Sequence, residues 1–206
     1  MKFNKQSITI IIVVAVIGIL GLFKWYQSRP IKPVDSVAQR SIGSTNAKVQ
    51  IIEFIDFQCP ACAYGYDLLH KYLAKYPGQL HIQVKYFPLT QIHRHAVSAG
   101  LYAECAARQG KFWEVVDQMM PAQQQWAELI SADGMFSDMA KKAGLDMTAL
   151  NTCLSSEDAK QALDDERMLG QSLNIQSTPT YFINNKMVVG GKSLLEELSQ
   201  YFPGGV

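Results

Sequence analysis

Two cysteines separated by two residues, Cys59 and Cys62, are the side chains of this sequence best suited to chemistry. They follow an apolar stretch, residues 51–57, that predicts a buried strand, and Pro60 is typical of the first position of a helix. Cys59 would then lie at the start of that helix, where unpaired backbone N–H groups and the helix dipole stabilise a thiolate. Cys62 would lie about one turn further along. Such a pair can close and reopen a disulfide, because one sulfur attacks and the other displaces what the first has captured.

Two other uses of the cysteine pair remain open at this point. A zinc site needs two further cysteine or histidine ligands at comparable spacing. His93 and His95 are too close together for the usual pairing, and no second C-x-x-C is present. Two buried structural thiols are the other alternative, although Pro60 and the expected cap position favour an exposed first cysteine. The spacing therefore favours redox chemistry, and we expect neither a metal nor a cofactor.

An acidic residue, Glu53, interrupts the apolar strand six residues before Cys59. Burial would raise the pKa of this carboxyl, which could then exchange a proton with Cys62 when that thiol becomes nucleophilic. The simpler interpretation is that Glu53 pairs with a lysine such as Lys85. Both interpretations are compatible with the sequence.

The composition describes a chain of ordinary globular character. The 206 residues include 19 Lys and Arg against 18 Asp and Glu, so no basic stripe is available to neutralise nucleic-acid phosphates. This length suits one core of moderate size, or one domain with an insertion. We therefore expect no nucleic-acid partner.

The N-terminal part of the chain predicts a membrane anchor followed by a linker. No charged residue occurs from position 8 to 23, and Trp25 and Tyr26 follow as an interfacial belt would. We expect residues 1–6 to be cytoplasmic and residues 7–26 to be a transmembrane signal-anchor. A cleaved signal peptide is the alternative, but no small-x-small cleavage site follows the run.

The segment from residue 27 to 46 contains two prolines and no apolar periodicity. It is therefore interpreted as a linker between the anchor and the domain that follows.

The remaining elements predict an α/β domain with an insertion. The strand before the cysteines, the helix after them and a strand at residues 80–89 form a βαβ unit. Helical patterns without a strand signal then fill residues of about 92–175. Strands at residues 180–183 and 186–189, joined by an Asn-Asn turn, precede a final helix.

The other two cysteines, Cys105 and Cys153, are candidates for a second, structural disulfide. A bridge there would place the domain outside the reducing cytosol. Two buried free cysteines are the alternative, since cysteine is common in protein cores.

These features together resemble the thioredoxin superfamily, and within it the DsbA-like thiol-disulfide oxidoreductases with an inserted helical domain. The similarity covers residues of about 47–202 within a domain expected at residues 47–206. It is carried by F-x-C-P-x-C from Phe57 to Cys62, by Glu53, and by Thr178-Pro179 after the insertion. The resemblance implies a thioredoxin-like α/β fold interrupted by an all-helical insertion and preceded by one transmembrane helix.

The resemblance also implies roles for individual residues. Cys59 would be the exposed nucleophile, Cys62 the resolving cysteine and Glu53 the buried acid. Pro179 would be a cis-proline, and its loop with Thr178 would present backbone to an extended substrate peptide beside the reactive sulfur.

One position departs from the pattern of the best-known oxidases of this family. Ala61 stands where they have a histidine that helps to hold the thiolate. Without that partner the reduced form is less favoured, so we expect a weaker oxidant. Thr178 in place of valine also occurs in isomerase-like relatives and does not decide the direction.

The sequence thus predicts a protein thiol-disulfide oxidoreductase that forms disulfides in secreted proteins. We expect a monomer anchored by a single pass in the inner membrane, with its catalytic domain on the periplasmic side. The resemblance implies a membrane partner, either a DsbB- or VKOR-like reoxidase or a reducing donor. A reductase or isomerase using the same site, and a non-catalytic chaperone, are the alternatives.

Overall fold

The computed structural model of the chain describes residues 14–21 and 36–206. Residues 14–21 are helical with exposed side chains. Within these two ranges, no helix combines the length and the apolar character needed to cross a membrane. The signal-anchor predicted at residues 7–26 lies mostly outside the described residues.

A five-stranded mixed sheet forms the frame of the domain. In space the strands follow the order β1-β3-β2-β4-β5, so β2 is the central strand. Strands β2 and β3 are parallel, whereas the other neighbouring pairs are antiparallel. The strands are β1 (Ser41–Gly43), β2 (Val49–Ile55), β3 (Leu80–Tyr86), β4 (Thr180–Ile183) and β5 (Lys186–Val189).

Nine helices surround this sheet within residues 36–206, and six of them form the insertion between β3 and β4. The first helix is α1 (Ser36–Gln39), and the two helices that pack against each other on the sheet are α2 (Pro60–Lys75) and α9 (Gly190–Tyr201). The inserted helices are α3 (Ala96–Ala107), α4 (Phe112–Met119), α5 (Gln123–Trp126), α6 (Asp133–Lys142), α7 (Met147–Leu154) and α8 (Glu157–Ser172). The order βαβ, helices, ββα is the predicted one.

The burial of the two parallel strands explains their sequence patterns. In β3 the residues alternate between buried and half-buried, as expected when one face packs on the core. The central strand β2 is buried at five of its seven positions, including the three consecutive residues at its end. This is why β2 appears in the sequence as a nearly continuous apolar run, and why an acidic residue within it is unusual.

The domain contains two large hydrophobic cores, besides a small cluster around Phe54 and Phe87. One lies between the sheet and helices α2 and α9, and includes Ile51, Leu69, Tyr72, Leu194 and Leu198. The larger one joins the cysteine end of β2 to the insertion, and includes Phe57, Cys62, Phe112, Trp126 and Phe136. Both cysteines of the C-x-x-C pair therefore border the larger core.

A disulfide joins two helices of the insertion. Cys105 of α3 and Cys153 of α7 are bonded, with their Cα atoms 5.8 Å apart. The bond closes a segment of 48 residues within the insertion. Cys59 and Cys62, in contrast, are both free thiols in this structure.

The predicted linker, residues 27–46, is wrong over its second half. Residues 36–43 form α1 and β1, and β1 pairs with the edge of β3. Arg40, between these two elements, is almost fully buried and forms a two-pronged ion pair with Glu166 of α8, at 2.6 and 2.9 Å. An element held by a buried charge instead of by apolar side chains leaves no apolar periodicity in the sequence.

The Arg40 side chain is the centre of a larger charged cluster. Its guanidinium lies 4.4 Å from the ring centre of Tyr86 and 3.9 Å from a carboxylate oxygen of Glu104. Glu166 also accepts hydrogen bonds from Lys85 and from the backbone N–H of Tyr86. The cluster thus ties the start of the domain to the sheet and to two helices of the insertion.

We expect Arg40→Met to destabilise the domain by about 3–5 kcal/mol, because removing one partner of a buried ion pair leaves the other charge buried. Urea unfolding followed by circular dichroism measures this change in the free energy of unfolding. Lys71→Met is the matched control, since it breaks the exposed Lys71–Asp67 pair, which we expect to contribute less than about 1 kcal/mol. Equal losses in the two variants would contradict the role assigned to Arg40.

Candidate active site

The turn between β2 and α2 places the two cysteines. Helix α2 begins at Pro60, and Cys59 is its N-cap residue, with extended backbone angles of φ −72° and ψ 120°. The Cys59 carbonyl accepts the backbone N–H groups of Cys62 and Ala63 at 3.0 and 3.3 Å. Because Pro60 lacks an N–H and has a φ suited to a first helical position, the helix begins directly after Cys59, at the end of the turn that residues 56–59 form beyond β2.

The surroundings of Cys59 favour its thiolate. The hydrogen bond from the Cys62 thiol lowers the pKa of Cys59 most, and burial opposes it. Further lowering comes from the Thr178 side chain and from the backbone N–H groups of Cys62 and Ala61, and the pKa reaches about 5. At neutral pH Cys59 is therefore an anion.

The prediction that Cys59 is an exposed nucleophile is wrong, because this residue is only 7% exposed. The Thr178 loop covers it.

Cys62 has the opposite electrostatic character. Its side chain is 0% exposed, and burial raises its pKa well above the ordinary value for a thiol. The neighbouring Cys59 sulfur and the Glu53 carboxyl raise it further. Cys62 is therefore protonated at neutral pH, and it must lose a proton before it can act as a nucleophile.

Glu53 lies within the sheet and behaves as a buried acid. It is 3% exposed, and burial raises its pKa to about 8. The Tyr181 hydroxyl on the neighbouring strand β4 lowers the pKa in part, although neither Glu53 Oε1 nor this hydroxyl completes a well-formed hydrogen bond. Both groups lie over Gly65, where a Cβ would stand 1.9 Å from the Tyr181 oxygen. A side chain at this position of α2 would therefore displace the Tyr181 hydroxyl.

The suggested pairing of Glu53 with Lys85 is wrong. Lys85 donates to Glu166 at 2.9 Å instead. The register of the parallel pair sets Glu53 beside Val84, so Lys85 projects from the opposite face of β3. Within residues 36–206, Glu53 forms no ion pair, which leaves proton exchange as the more consistent of its two suggested roles.

The loop before β4 lies against the reactive sulfur. The Thr178–Pro179 peptide bond is cis. The Cys59 sulfur lies 3.4 Å from the backbone carbonyl oxygen of Thr178, to which it donates only when it is protonated. The Thr178 hydroxyl is buried without a hydrogen-bond partner and is therefore free to donate to a thiolate. The structure thus brings together the predicted residues from three separate parts of the chain.

Several residues that hold the cysteine turn were missed by the sequence analysis. The Asp56 carboxylate accepts the backbone N–H groups of Gln58 and Leu89 and contacts His93 Nδ1, each at 2.8 Å. The only signal for it in the sequence was a carboxylate at the end of an apolar run. Gln123 of the insertion donates to the carbonyl groups of Phe57 and Cys59, at 2.7 and 3.0 Å. No local sequence pattern indicates this role of Gln123.

The histidines considered as zinc ligands have other roles in the structure. His93 contacts Asp56, and the Nε2 atom of His95 lies 2.8 Å from the carbonyl oxygen of Leu129. In the part of the chain that the structure describes, no group of three or more His, Cys, Asp or Glu side chains could hold a metal ion.

A cleft of about 510 Å³ opens beside Pro60. One wall is the exposed side of α2, with Tyr64 and Asp67, and the other is the turn at Met120 and Pro121 in the insertion. Pro60, the residue after Cys59, therefore lines this cleft, and the Cys59 sulfur itself contacts Thr178.

The sheet order, the cysteine turn at the end of the central strand and the inserted helices define a thioredoxin-like fold. The family model described as Thioredoxin matches residues 35–201. The chain belongs to the thioredoxin family, which confirms the predicted superfamily.

Two known proteins from Bacillus species are similar to this chain, one in structure and one in sequence. The crystal structure of oxidised BdbD from Bacillus subtilis superposes with a TM-score of 0.69 at 21% sequence identity, and covers 84% of this chain and 95% of that one. A probable disulfide bond formation protein D of Bacillus cereus is 25% identical over 154 residues, which are 72% of this chain and 71% of that protein.

A third similarity concerns a longer protein. Na(+)/H(+) antiporter NhaA 3 of Salinispora tropica is 29% identical over 154 residues, which are 75% of this chain but 23% of the antiporter. The chain thus spans about a quarter of the length of the antiporters that it matches. The name of the longer protein therefore does not carry ion transport over to this chain.

We expect the alkylation rate of reduced Cys59 by iodoacetamide to rise with pH around a midpoint of about 5, because only the thiolate reacts. The rate is followed by mass spectrometry over pH 3 to 9. In Cys59→Ser, the remaining Cys62 should react slowly throughout, since its thiol is buried and its pKa is raised. A midpoint near about 8.5, the ordinary value for cysteine, would contradict the stabilised thiolate.

Proposed function

We propose that this protein is a membrane-anchored, extracytoplasmic thiol-disulfide oxidoreductase that introduces disulfides into secreted proteins. The observation that carries the proposal is the contrast between two adjacent sulfurs: Cys59 is a stabilised thiolate and Cys62 a buried thiol. Membership of the thioredoxin family and the similarity to a probable disulfide bond formation protein support the same reaction class.

The reaction would begin from the Cys59–Cys62 disulfide. A substrate thiolate attacks the Cys59 sulfur, the Cys59–Cys62 bond breaks, and Cys62 departs and takes a proton from Glu53. The second thiolate of the substrate then attacks the substrate sulfur of the mixed disulfide, and Cys59 departs as a thiolate. The substrate dithiol is oxidised to a disulfide by two electrons, and these electrons reduce the pair in the protein.

The stability of the departing thiolate supports the oxidising direction of the reaction. A pKa of about 5 makes Cys59 a good leaving group and stabilises the reduced pair, so the disulfide form is the oxidant. The reductase or isomerase alternative uses the same site in reverse. It is supported by Ala61, which deprives the thiolate of one further partner.

The location is proposed from two features of the chain. The uncharged run at positions 8–23, together with the aromatic residues Trp25 and Tyr26 beyond it, can just span the inner membrane as a single-pass anchor. The Cys105–Cys153 disulfide is typical of proteins that function in an oxidising compartment. A monomer in the periplasm would need a membrane redox partner, a DsbB- or VKOR-like reoxidase or, for the reverse reaction, a reducing donor.

The redox state of Cys59 in the producing cells tests the direction. Acid quenching followed by alkylation should find Cys59 and Cys62 mostly as a disulfide, as expected of an oxidase. A mostly reduced pair would instead identify a reductase or isomerase. Cys59→Ser should abolish disulfide formation in substrates, and full retention of cellular function in that variant would indicate a non-catalytic chaperone.

Replacing Ala61 tests the expected weakness of the oxidant. We expect Ala61→His to raise the reduction potential by about 30 mV, roughly a tenfold change in the equilibrium with glutathione, because an added donor stabilises the thiolate. Titration against glutathione buffers measures it. Lys71→His, an exposed site on the same helix, is the control and should leave the potential unchanged. A wild-type potential as high as that of the strongest periplasmic oxidants would refute the expectation.

A further inference from the structure

A small cavity lies next to Glu53, on the side of the sheet that faces α2 and the insertion. It offers about 10 Å³ to the centre of a water-sized sphere, which is close to the minimum needed for one water molecule. Its walls include Glu53 of β2, His70 of α2, Val84 of β3 and Trp113 of α4. Glu53, His70 and Tyr66 are thus the titratable side chains on a cavity whose other walls are largely apolar.

Glu53 and His70 each have a buried polar atom without a partner. Neither Glu53 Oε1 nor His70 Nε2 accepts or donates a hydrogen bond within the described residues. Buried polar atoms are nearly always paired, either with the protein or with ordered water. Two such atoms on the wall of one cavity are therefore the partners that a single bridging water would require.

The position of His70 connects this cavity to the surface. Its Nε2 atom is buried, but the residue as a whole is partly exposed. The imidazole ring lies 4.1 Å from the ring centre of Tyr66 and 5.8 Å from that of Trp113. These contacts hold the ring between the cavity and solvent.

The electrostatic surroundings keep His70 able to exchange protons. Burial lowers its pKa from 6.5, and the carboxylates of Asp117 on α4 and Asp67 on α2 oppose this shift. The ring is therefore mostly neutral at pH 7 and has one N–H and one free lone pair, as a group that passes protons needs. Tyr66, the other titratable neighbour, donates its hydroxyl hydrogen to Asp117 at 2.6 Å.

Glu53 needs a route by which protons can pass between its carboxyl group and solvent. Its neighbours are the aliphatic Val84 on one strand and Tyr181 on the other, and the two cysteines lie beyond the end of β2. Tyr181 stays protonated, since burial raises its pKa far above 10. In the part of the chain that the structure describes, no basic group forms an ion pair with Glu53.

We propose that His70 relays protons between the Glu53 carboxyl and solvent, through a water molecule admitted to this cavity. The relay rests on the proposed disulfide exchange. When Cys62 departs, it receives a proton from Glu53, and the water then donates a proton to Glu53. The Nε2 atom of His70 donates a proton to the water, and the imidazole ring takes up a proton from solvent. The reverse order removes the proton when Cys62 attacks, and no electrons move along this path. His70 thus acts through Glu53 and does not touch sulfur.

The test is the single-turnover reduction of the Cys59–Cys62 disulfide by excess dithiothreitol, in the full chain in detergent, followed by acid quenching and alkylation. We expect His70→Ala to slow this step at least about tenfold at pH 7, a loss in the lower part of the range for proton-transfer groups. Imidazole added to the buffer should restore most of the rate, because it can enter the space vacated by the side chain. His81→Ala, on β3, is the control and should show neither effect.

Two further variants separate a relay from a structural role. His70→Asn should slow the same step without rescue by imidazole, since its side chain keeps the space filled. In a Glu53→Gln background, His70→Ala should cause no additional slowing, because the group it serves is absent. If His70→Ala loses the native circular dichroism spectrum, His70→Asn alone and combined with Glu53→Gln decides the question.

The outcomes distinguish this proposal from the proposed function. A wild-type rate in the His70 variants, or equal slowing in the presence and absence of Glu53, would overturn the relay and leave the exchange reaction intact. A wild-type protein whose Cys59 does not exchange with dithiols would overturn the function itself.

Discussion

The interaction on which the rest depends is the contact between the Cys59 sulfur and the first turn of α2. The backbone N–H groups of Ala61 and Cys62 and the Cys62 thiol all favour negative charge on this one atom, and they overcome the cost of burying it. These donors are available because Cys59 immediately precedes Pro60, the first residue of the helix. An additional residue between Cys59 and Pro60 would separate the sulfur from the unpaired N–H groups that stabilise its charge.

A second constraint is that an environment unfavourable to negative charge lies directly beside the Cys59 thiolate. Cys62, one helical turn beyond Cys59, and Glu53, on the adjoining strand β2, are both buried. Burial raises the pKa of each, so both favour their protonated forms. A disulfide between the two sulfurs therefore breaks asymmetrically, with charge remaining at Cys59 and a proton required at Cys62. The pKa of Glu53, about 8, is close enough to neutral pH for its carboxyl group both to give and to take that proton.

The features that could be predicted from the sequence are those with local causes. Pro60 marks the start of α2, and the turn at Asn184 and Asn185 joins β4 to β5 with positive φ at both residues, as a tight hairpin requires. The Arg40–Glu166 pair was missed because its partners are 126 residues apart and both are polar. The cysteines and Glu53 were predictable from their own spacing, and Thr178 and Pro179 from the family resemblance. Asp56 and Gln123, which hold the cysteine turn, are polar residues with no comparable pattern around them.

The inserted helices contribute to the site more directly than their separation in the sequence implies. Gln123 binds the carbonyl groups of Phe57 and Cys59, Gln58 binds the carbonyl of Ala127, and the backbone N–H of His95 binds Gln58. These bonds fix the peptide planes on both sides of the reactive sulfur. Because the orientation of those planes determines where the N–H groups point, the insertion helps to keep the thiolate stabilised before any substrate arrives. The helical domain is therefore part of the active-site support as well as a wall of the neighbouring cleft.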